Sequence, residues 1–363
     1  MSSTDCSESE IPDERTCFRL CNEFAELTKT DSACGHFYLQ NCGWDLSVAV
    51  SYFLDKNKAQ SVDDSPPADG PKQFSLLSWN IDGLDPHNVK SRASAVANII
   101  LELVCTFDLI CTPPFGYCRT MPTAVFLQEV VEENLVILRE KLSSEYDELP
   151  RETSCNYFTK TFLHRNSANC DSSQVIPFEG SCMGRDMMVA QVTLFGKAHC
   201  CLVNAHLESG RQYSKVRKEQ LSTAFSLMRA ADSGVNILFG GDLNLRDHEV
   251  KAHCDSSPAE FSKVQIFKIQ TLPEGIVDLW KANGSPSGEK YTWDSTKNDN
   301  IASKGIAGRS YRPRCRFDRI YMKHSTPRLL TPTEFKLVGK RVIRSCLCYP
   351  SDHFGILCCF QLT

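Results

Sequence analysis

The chain has 363 residues, 42% of them hydrophobic and 23% charged, enough apolar material for a sizeable core and too much for the whole to be disordered. That length suits two domains, or one large domain with an appendage, and no run approaches the roughly 18 consecutive apolar residues of a membrane-spanning helix. The opening residues MSSTDCSESE lack the basic-then-apolar signature of a secretory signal, so a soluble intracellular protein with no membrane partner is expected.

The first fifteen or so residues are polar and acidic and read as a mobile tail (1–15). From 16 to 57 the apolar residues fall at helical spacing, in three groups that begin at Phe18, Phe37 and Leu46. Polar breaks at Thr28–Ser32 and Asn41–Asp45 separate three helices, with Thr30 or Asp31 and then Asp45 as N-cap candidates. A unit of about 40 residues is near the lower size limit for unaided folding. The segment Gln60–Gln73, QSVDDSPPADGPKQ, is rich in Pro, Gly, Ser and Asp, which makes 58–73 a linker and leaves 74–363 as the main domain. The formal charge of −4 is shared unevenly between these parts. Residues 1–71 carry 13 acidic and 5 basic side chains, so the remainder is mildly basic, which suits an anionic partner.

Beyond the linker, strand-like runs are expected at Phe74–Trp79, Ala124–Leu127, Met187–Phe195, Ala198–Leu207, Val235–Phe239, Arg316–Tyr321 and Phe354–Leu362, with a tight turn at Gly196–Lys197. Helices are expected at Ser94–Val104, Glu132–Leu142 and Ser214–Ala231. Strands joined partly by hairpins and partly through helices indicate a mixed α/β sandwich rather than a strictly alternating doubly wound sheet. The nineteen cysteines show no paired zinc or disulfide spacing, and most are read as reduced and buried. The nearest approach to a metal cluster, Cys17, Cys21, Cys34, His36 and Cys42, lies on helical patterns and is read as helix core.

The chemistry is concentrated where these strands end. Phe74–Trp79 runs into Asn80 and Asp82, Ala124–Leu127 into Gln128 and Glu129, and Ala198–Leu202 into Asn204, His206 and Glu208. Val235–Gly241 runs into Asp242 and Asn244, Asp318 follows Arg316–Phe317, and Ser351, Asp352 and His353 precede the last strand. Oxygen donors without a thiolate partner suit a hard cation, Mg²⁺ or Mn²⁺, with Glu129 and Asp82 as candidate ligands. Asp242 and Asn244 can hold a water and a phosphate oxygen together, and His353 can stabilise phosphate charge if Asp318 fixes its ring. This is a metal-assisted phosphodiesterase constellation. Each element alone has a plainer reading, as a turn or cap residue or a structural histidine, and their joint occurrence is what carries the argument. No G-x-S-x-G elbow, P-loop or H-E-x-x-H is present, so serine hydrolase, P-loop NTPase and zincin chemistries drop out.

The strings SWNIDGLD (Ser78–Asp85), FLQEV (Phe126–Val130), HLES (His206–Ser209), GDLNLRD (Gly241–Asp247), RFDRI (Arg316–Ile320) and SDH (Ser351–His353) resemble, in this order, the motifs of the endonuclease/exonuclease/phosphatase superfamily. The longer strings are similar to the branch that hydrolyses 5′-phosphotyrosyl bonds on DNA, and Phe18–Phe53 resembles a ubiquitin-associated-like domain. The resemblance implies a two-sheet α/β sandwich preceded by that three-helix domain. It implies Mg²⁺ (or Mn²⁺) on Glu129, with Asp82 and Asp352 supporting the metal. Asn80, Asn244 and His353 would hold the scissile phosphate, Asp242 would orient or deprotonate the attacking water, and Asp318 would orient His353. His206, Tyr157, Arg185, Ser209, Arg211, Arg246, Trp293 and Phe317 would line the DNA and the leaving group.

The implied substrate is DNA carrying a trapped topoisomerase II tyrosine, the implied second partner ubiquitin, and the implied location the nucleus with a cytoplasmic pool. The alternatives are another activity of the superfamily, such as an abasic endonuclease or a phosphatase, or an inactive ubiquitin-binding adaptor. The segment 105–124 (CTFDLICTPPFGYCRTMPTA) departs from the family pattern by its length and its Pro and Cys content.

Overall fold

The computed structural model describes residues 12–58, 72–103, 121–152, 155–250, 272–305 and 311–363. The expected linker and most of the segment 105–124 lie outside these residues.

The N-terminal unit contains α1 (Glu14–Thr28), α2 (Ser32–Asn41) and α3 (Leu46–Lys58). Asp13 caps α1 by accepting from the Thr16 N–H, and Asp31 caps α2 by accepting from the Cys34 N–H. Asp45 accepts from the Ser47 and Val48 N–H groups and so starts α3. Lys29, in the left-handed region, closes α1. The core is small: Cys21, Phe24, Leu39 and Ala49 are buried, with Cys34 and Cys42 packed against them. Gly35 permits close helix contact, since a Cβ there would stand 2.6 Å from the Cys21 carbonyl oxygen.

The larger unit stacks four layers. One sheet contains β1 (Gln73–Asn80), β2 (Ala124–Val130), β3 (Tyr146–Glu148), β4 (Phe158–His164), β13 (Leu330–Val338) and β14 (Gly355–Leu362), in the order β13-β14-β1-β2-β4-β3. The other contains β5 (Ala168–Pro177), β6 (Asp186–Leu194), β7 (Ala198–His206), β8 (Asn236–Asp242), β9 (Ile276–Asp278) and β12 (Asp318–Lys323), in the order β5-β6-β7-β8-β12-β9. The short pair β10 (Trp293–Asp294) and β11 (Arg314–Cys315) stands apart.

Alternation along the central strands dictates the layering. In β1, Phe74 and Leu76 pack with Met188, Leu202, Leu238 and Ile320 of the opposite sheet. Leu77 and Trp79, pointing the other way, pack on α4 (Val89–Glu102) and α5 (Glu132–Leu142). The second sheet turns Val203, Ile237 and Phe239 toward Leu221, Phe225 and Met228 of α6 (Ser214–Ala230). The core is therefore sheet on sheet, with helices covering both outer faces.

Each sheet has one parallel pair at its centre, β1 with β2 and β7 with β8, each joined by a crossover helix. These four strands end at the same edge of the sandwich. β12 and β14 run antiparallel to their neighbours, so they present their beginnings there.

The ten expected strands and helices of this unit all form, with ends displaced by up to a few residues. The β6–β7 turn occupies residues 195–197 and contains the expected Gly196–Lys197. Phe195 and Gly196 both hold positive φ, and the Lys197 N–H closes the turn on the Leu194 carbonyl at 2.9 Å. The unexpected strands are mainly edges. β5 (ANCDSSQVIP) is largely exposed and polar, and β13 contains Pro332 beside a bulge, so neither carries an apolar alternation. Two short helices follow β9 and β10, α7 (Leu279–Ala282) and α8 (Asp299–Ser303).

Candidate active site

The residues singled out at strand ends converge on the carboxylate of Asp242. Asp318 lies directly across the β8–β12 ladder from it, and His206, the last residue of β7, pairs with it across the parallel ladder. Asn80 Nδ2 donates to Asp242 Oδ2 at 3.0 Å. Two imidazoles approach the same oxygen, His206 Nε2 at 3.4 Å and His353 Nε2 at 3.8 Å. The other ring nitrogen of His353, Nδ1, meets Asp318 Oδ2 at 2.8 Å. All five of these side chains are buried.

Local backbone geometry sets these side chains. The strands β1 and β8 end in the same device: Asn80 Oδ1 accepts from the Asp82 N–H, and Asp242 Oδ1 accepts from the Asn244 N–H. Asp82, Asn244 and Glu129 all hold positive φ, near 52°. Backbone held in the left-handed region is a cost that clusters at functional sites. The Gly-Asp pair is required as well, because a Cβ on Gly241 would stand 1.8 Å from the Ala205 carbonyl oxygen. Ser351 Oγ donates to the Asn80 carbonyl and accepts from the His353 N–H, which ties the SDH turn to β1. Trp79 adds a bond from Nε1 to the His353 carbonyl at 2.9 Å.

The two histidines are tuned in opposite directions. Burial lowers the pKa of His206, and the charges of Arg185 and His353 lower it further. Arg185 Nη1 can only donate, so the Nδ1 it meets at 2.8 Å is the acceptor, and Nε2 carries the proton toward Asp242. Burial also works against protonated His353, but Asp318 and Asp242 outweigh it and hold its pKa well above the ordinary value. Burial pushes Asp242 up to about 6, against the opposing charge of His353. Glu129 is raised by burial and by Asp352, and its Oε1 lies 4.0 Å from His206 Nε2.

Among the described residues, two groups have ligand atoms close enough to share one ion: Glu129, His206 and Asp242, and Asp242, Asp318 and His353. The donors are carboxylate oxygens and imidazole nitrogens with no thiolate, the set that suits a hard divalent cation. Asp82 and Asp352, expected to support the metal, are in neither group. They share the ammonium of Lys304, whose Nζ is 2.7 Å from both Asp82 oxygens and 3.0 Å from Asp352 Oδ2. Arg92, also buried, lies 3.6 Å from Asp82 and donates to the carbonyls of Ile81, Asp82 and Asp85. Burial and Asp352 push Asp82 up to about 7 despite Lys304.

The remaining expected residues form two walls and a rim. On one side the Arg185 guanidinium lies over the Tyr157 ring at 5.0 Å, and that ring is 6.4 Å from His206. Arg185 is thus buried, not a surface side chain. On the other side Phe317 stands among Trp293 at 5.8 Å, His353 at 6.3 Å and the guanidinium of Arg246 at 5.7 Å. Trp293 is buried and donates from Nε1 to Asp352 Oδ2 at 3.4 Å. Ser209 hydrogen-bonds to the Met183 sulfur and Arg211 is exposed, so these two are not drawn into the cluster. The charges of Arg246, His353 and Arg211 nonetheless all bear on the Cys315 thiol, which burial pushes up.

Sequence reasoning missed Lys304 and Arg92, which sit in unremarkable polar and helical stretches. It also missed the support beneath HLES. Glu208 is fully buried and accepts from Ser181 Oγ, the Cys182 N–H and Gln220 Nε2, while Arg217 donates to the Glu208 carbonyl and pairs with Glu249.

The chain is 33% identical to a 5′-tyrosyl-DNA phosphodiesterase of Caenorhabditis briggsae over 97% of its length and 92% of that protein's. It is 30% identical to tyrosyl-DNA phosphodiesterase 2 of Homo sapiens, covering 93% of this chain and 91% of the human one. The chain belongs to the tyrosyl-DNA phosphodiesterase 2 family. Among solved structures, the D. rerio member complexed with a single-strand DNA product superposes with a TM-score of 0.65 at 30% identity, covering 80% of this chain and 99% of that one. The C. elegans member gives 0.63 at 31%, covering 99% and 97%. An endonuclease/exonuclease/phosphatase protein from Bacteroides vulgatus, only 14% identical, gives 0.55 over 80% of this chain and all of that one, a likeness of fold alone. A UBA-like domain model matches residues 19–60. The two-sheet sandwich of this superfamily, preceded by a UBA-like unit, is therefore the architecture of this member of the tyrosyl-DNA phosphodiesterase 2 family.

Proposed function

We propose that this chain hydrolyses the 5′-phosphotyrosyl bond between DNA and a trapped topoisomerase II tyrosine, leaving a 5′-phosphate for repair. The observation that carries the chemistry is the convergence of Asn80, His206 and His353 on one oxygen of Asp242, with Asp318 behind His353. The family membership carries the substrate.

In this reading Asp242 orients the attacking water and takes its proton. Asn80, Asn244 and protonated His353 hold the scissile phosphate and meet the charge that develops on its oxygens. Asp318 fixes the His353 ring and sustains its charge. Glu129 is the carboxylate that would hold Mg²⁺, or Mn²⁺ in its stead, with Asp82 and Asp352 in support. The ion supplies Lewis-acid charge at the phosphoryl oxygens when bound. The leaving phenolate has a pKa near ~10, so it needs little general-acid help. Tyr157 and Arg185 would face the departing tyrosine, and Arg246, Trp293, Phe317, Ser209 and Arg211 the DNA. We assign the enzyme to the nucleus on the ground of its substrate. For the N-terminal helices we propose ubiquitin as partner, supported by the exposed Phe18, Leu27, Phe37 and Val48.

The test is release of tyrosine from a 5′-phosphotyrosyl oligonucleotide, with Mg²⁺ and with EDTA, by the wild type and by Asp242→Asn. Metal-dependent release that is lost in the variant is the expected result. No release by the folded wild type, with cleavage of abasic or phosphomonoester substrates instead, would assign the site to another superfamily activity.

A further inference from the structure

The turn that leads into Asp352 and His353 carries two thiols the mechanism does not use. Cys346 Sγ and Cys348 Sγ lie 3.1 Å apart, and both side chains are half-buried. In a regular extended strand, residues two apart stand about 6.6 Å apart at Cα, near the upper limit of the usual span of a disulfide, whose commonest value is about 5.5–6 Å. Here Leu347 takes a positive φ of 52°, and a closed turn gathers the segment: the Leu347 N–H donates to the Ile343 carbonyl at 2.8 Å, and the Ile343 N–H donates to the Cys348 carbonyl at 2.8 Å. The leucine between the thiols is 83% exposed, so packing does not hold this turn and solvent reaches it. By contrast Cys358 and Cys359, further along the same strand-forming segment, are buried.

We propose that Cys346 and Cys348 are an oxidisable dithiol, a modification site whose closure to a disulfide weakens the divalent-ion site by shifting the turn that holds Asp352. The oxidant class is a peroxide. Cys346 attacks the peroxide oxygen as thiolate, the O–O bond breaks and a sulfenic acid and water result. Cys348 then attacks the Cys346 sulfur, the S–O bond breaks and a second water leaves. Two thiols and one hydrogen peroxide thus give one disulfide and two waters, and a dithiol reductant reverses the step. The order of attack follows from local chemistry: burial and the neighbouring thiol push Cys348 up to about 11, so it is the partner that keeps its proton.

The coupling to the site is short and continuous. Tyr349, next to Cys348, exchanges two backbone hydrogen bonds with the side chain of Asn300, each 3.0 Å. The Ser351 carbonyl accepts from Asn298 Nδ2 at 2.9 Å. Cys348 also lines a cavity of about 550 Å³ together with Asp82 and Lys304, whose ammonium pairs with both Asp82 and Asp352. Drawing Sγ atoms from 3.1 Å to the roughly 2.0 Å of a disulfide moves this turn while Asp352 is only four residues from Cys348.

The experiment treats the full chain with hydrogen peroxide, assigns thiols by differential alkylation and fragmentation mass spectrometry, and measures Mn²⁺ affinity by electron paramagnetic resonance. Neither readout depends on the substrate. The expected result is a 2 Da loss within 346–348 and about tenfold weaker Mn²⁺ binding, the low end of what disturbed outer support costs a metal site. Dithiothreitol should restore both, and Cys346→Ser and Cys348→Ser should bind Mn²⁺ like the wild type and ignore peroxide. Thiols at 346 and 348 that stay alkylatable overturn the proposal. So does a disulfide that leaves Mn²⁺ affinity unchanged, or equal weakening in the two variants.

Discussion

Two carboxylates at the ends of two central strands, Asp242 and Asp82, take opposite places in the same backbone device, Asp242 opening its turn and Asp82 closing the one that Asn80 opens, and face opposite kinds of partner. Each belongs to an Asx turn whose third residue has positive φ. Asp242 meets an amide and two imidazoles, groups that orient an oxygen or share a proton. Asp82 meets the Lys304 ammonium and the Arg92 guanidinium, cations that can donate to an oxygen but accept no proton from it. A shared turn device therefore does not by itself assign a function to the carboxylate within it. The side chains that arrive from distant strands decide which carboxylate does chemistry and which carries charge.

The comparison is broken most directly by neutralising each carboxylate. Asp242→Asn is expected to lower the rate of tyrosine release about 10³-fold or more while far-ultraviolet circular dichroism stays unchanged. Asp82→Asn should cost the rate much less but destabilise the fold, by roughly 3 kcal/mol in urea titration, because two cations lose their buried partner. A variant pair with the reverse ranking in rate would sink the distinction. Next in size, Asp318→Asn removes the charge that keeps His353 protonated. We expect about a hundredfold loss of rate, together with a fall in the His353 pKa that imidazole NMR titration would register.

Lys304→Met sharpens the other half. Without the ammonium the acid cluster attracts a divalent ion more strongly, and Mn²⁺ affinity should rise about tenfold at low salt, as the Coulomb energy of one charge across a partly screened site suggests. An unchanged or weaker affinity would mean that Lys304 organises Asp82 and Asp352 more than it competes for them.

The smallest effect is linked to pH. In the metal-free protein Asp82 is pushed up to about 7 and Asp242 to about 6, each by burial, so both hold protons that a cation must displace. Metal affinity should rise with pH across roughly 6–7, and calorimetry in buffers of different ionisation enthalpy should show proton release. Carboxylates raised in the folded state stabilise it at low pH, where they are protonated, and that gain is lost as pH rises through the folded pKa values. Metal-free protein should therefore melt lower at pH 8 than at pH 5.5. Melting that moves the other way would show that these carboxylates are ionised throughout.

Much of the site was legible before any coordinates. The strings around Asn80, Glu129, Asp242, Asp318 and His353 each put a polar residue at the end of an apolar run, and such ends are where a rigid sheet displays its side chains. Two of the strands that sequence reading overlooked, β5 and β13, are edges with polar or proline-interrupted faces, which carry little of the apolar alternation such reading relies on. The Lys304 bridge, the Arg185–His206 bond and the buried Glu208 clamp were illegible for another reason. Each joins side chains more than twenty residues apart or lies beneath a motif, and no local spacing records it.

The sequence by itself determined the strands and helices of the core, the capped N-terminal helices, the hard-ligand chemistry and the order of the motifs, because periodicity, capping and residue type act over a few neighbours. The tertiary structure decided which of those motifs touch. It brought β8 beside β12, so that Asp242 faces Asp318. It gave one histidine an arginine and the other a carboxylate, and so set their protonation in opposite directions. Charge and proton affinity depend on burial and on partners from other strands, and those exist only once the two sheets have packed.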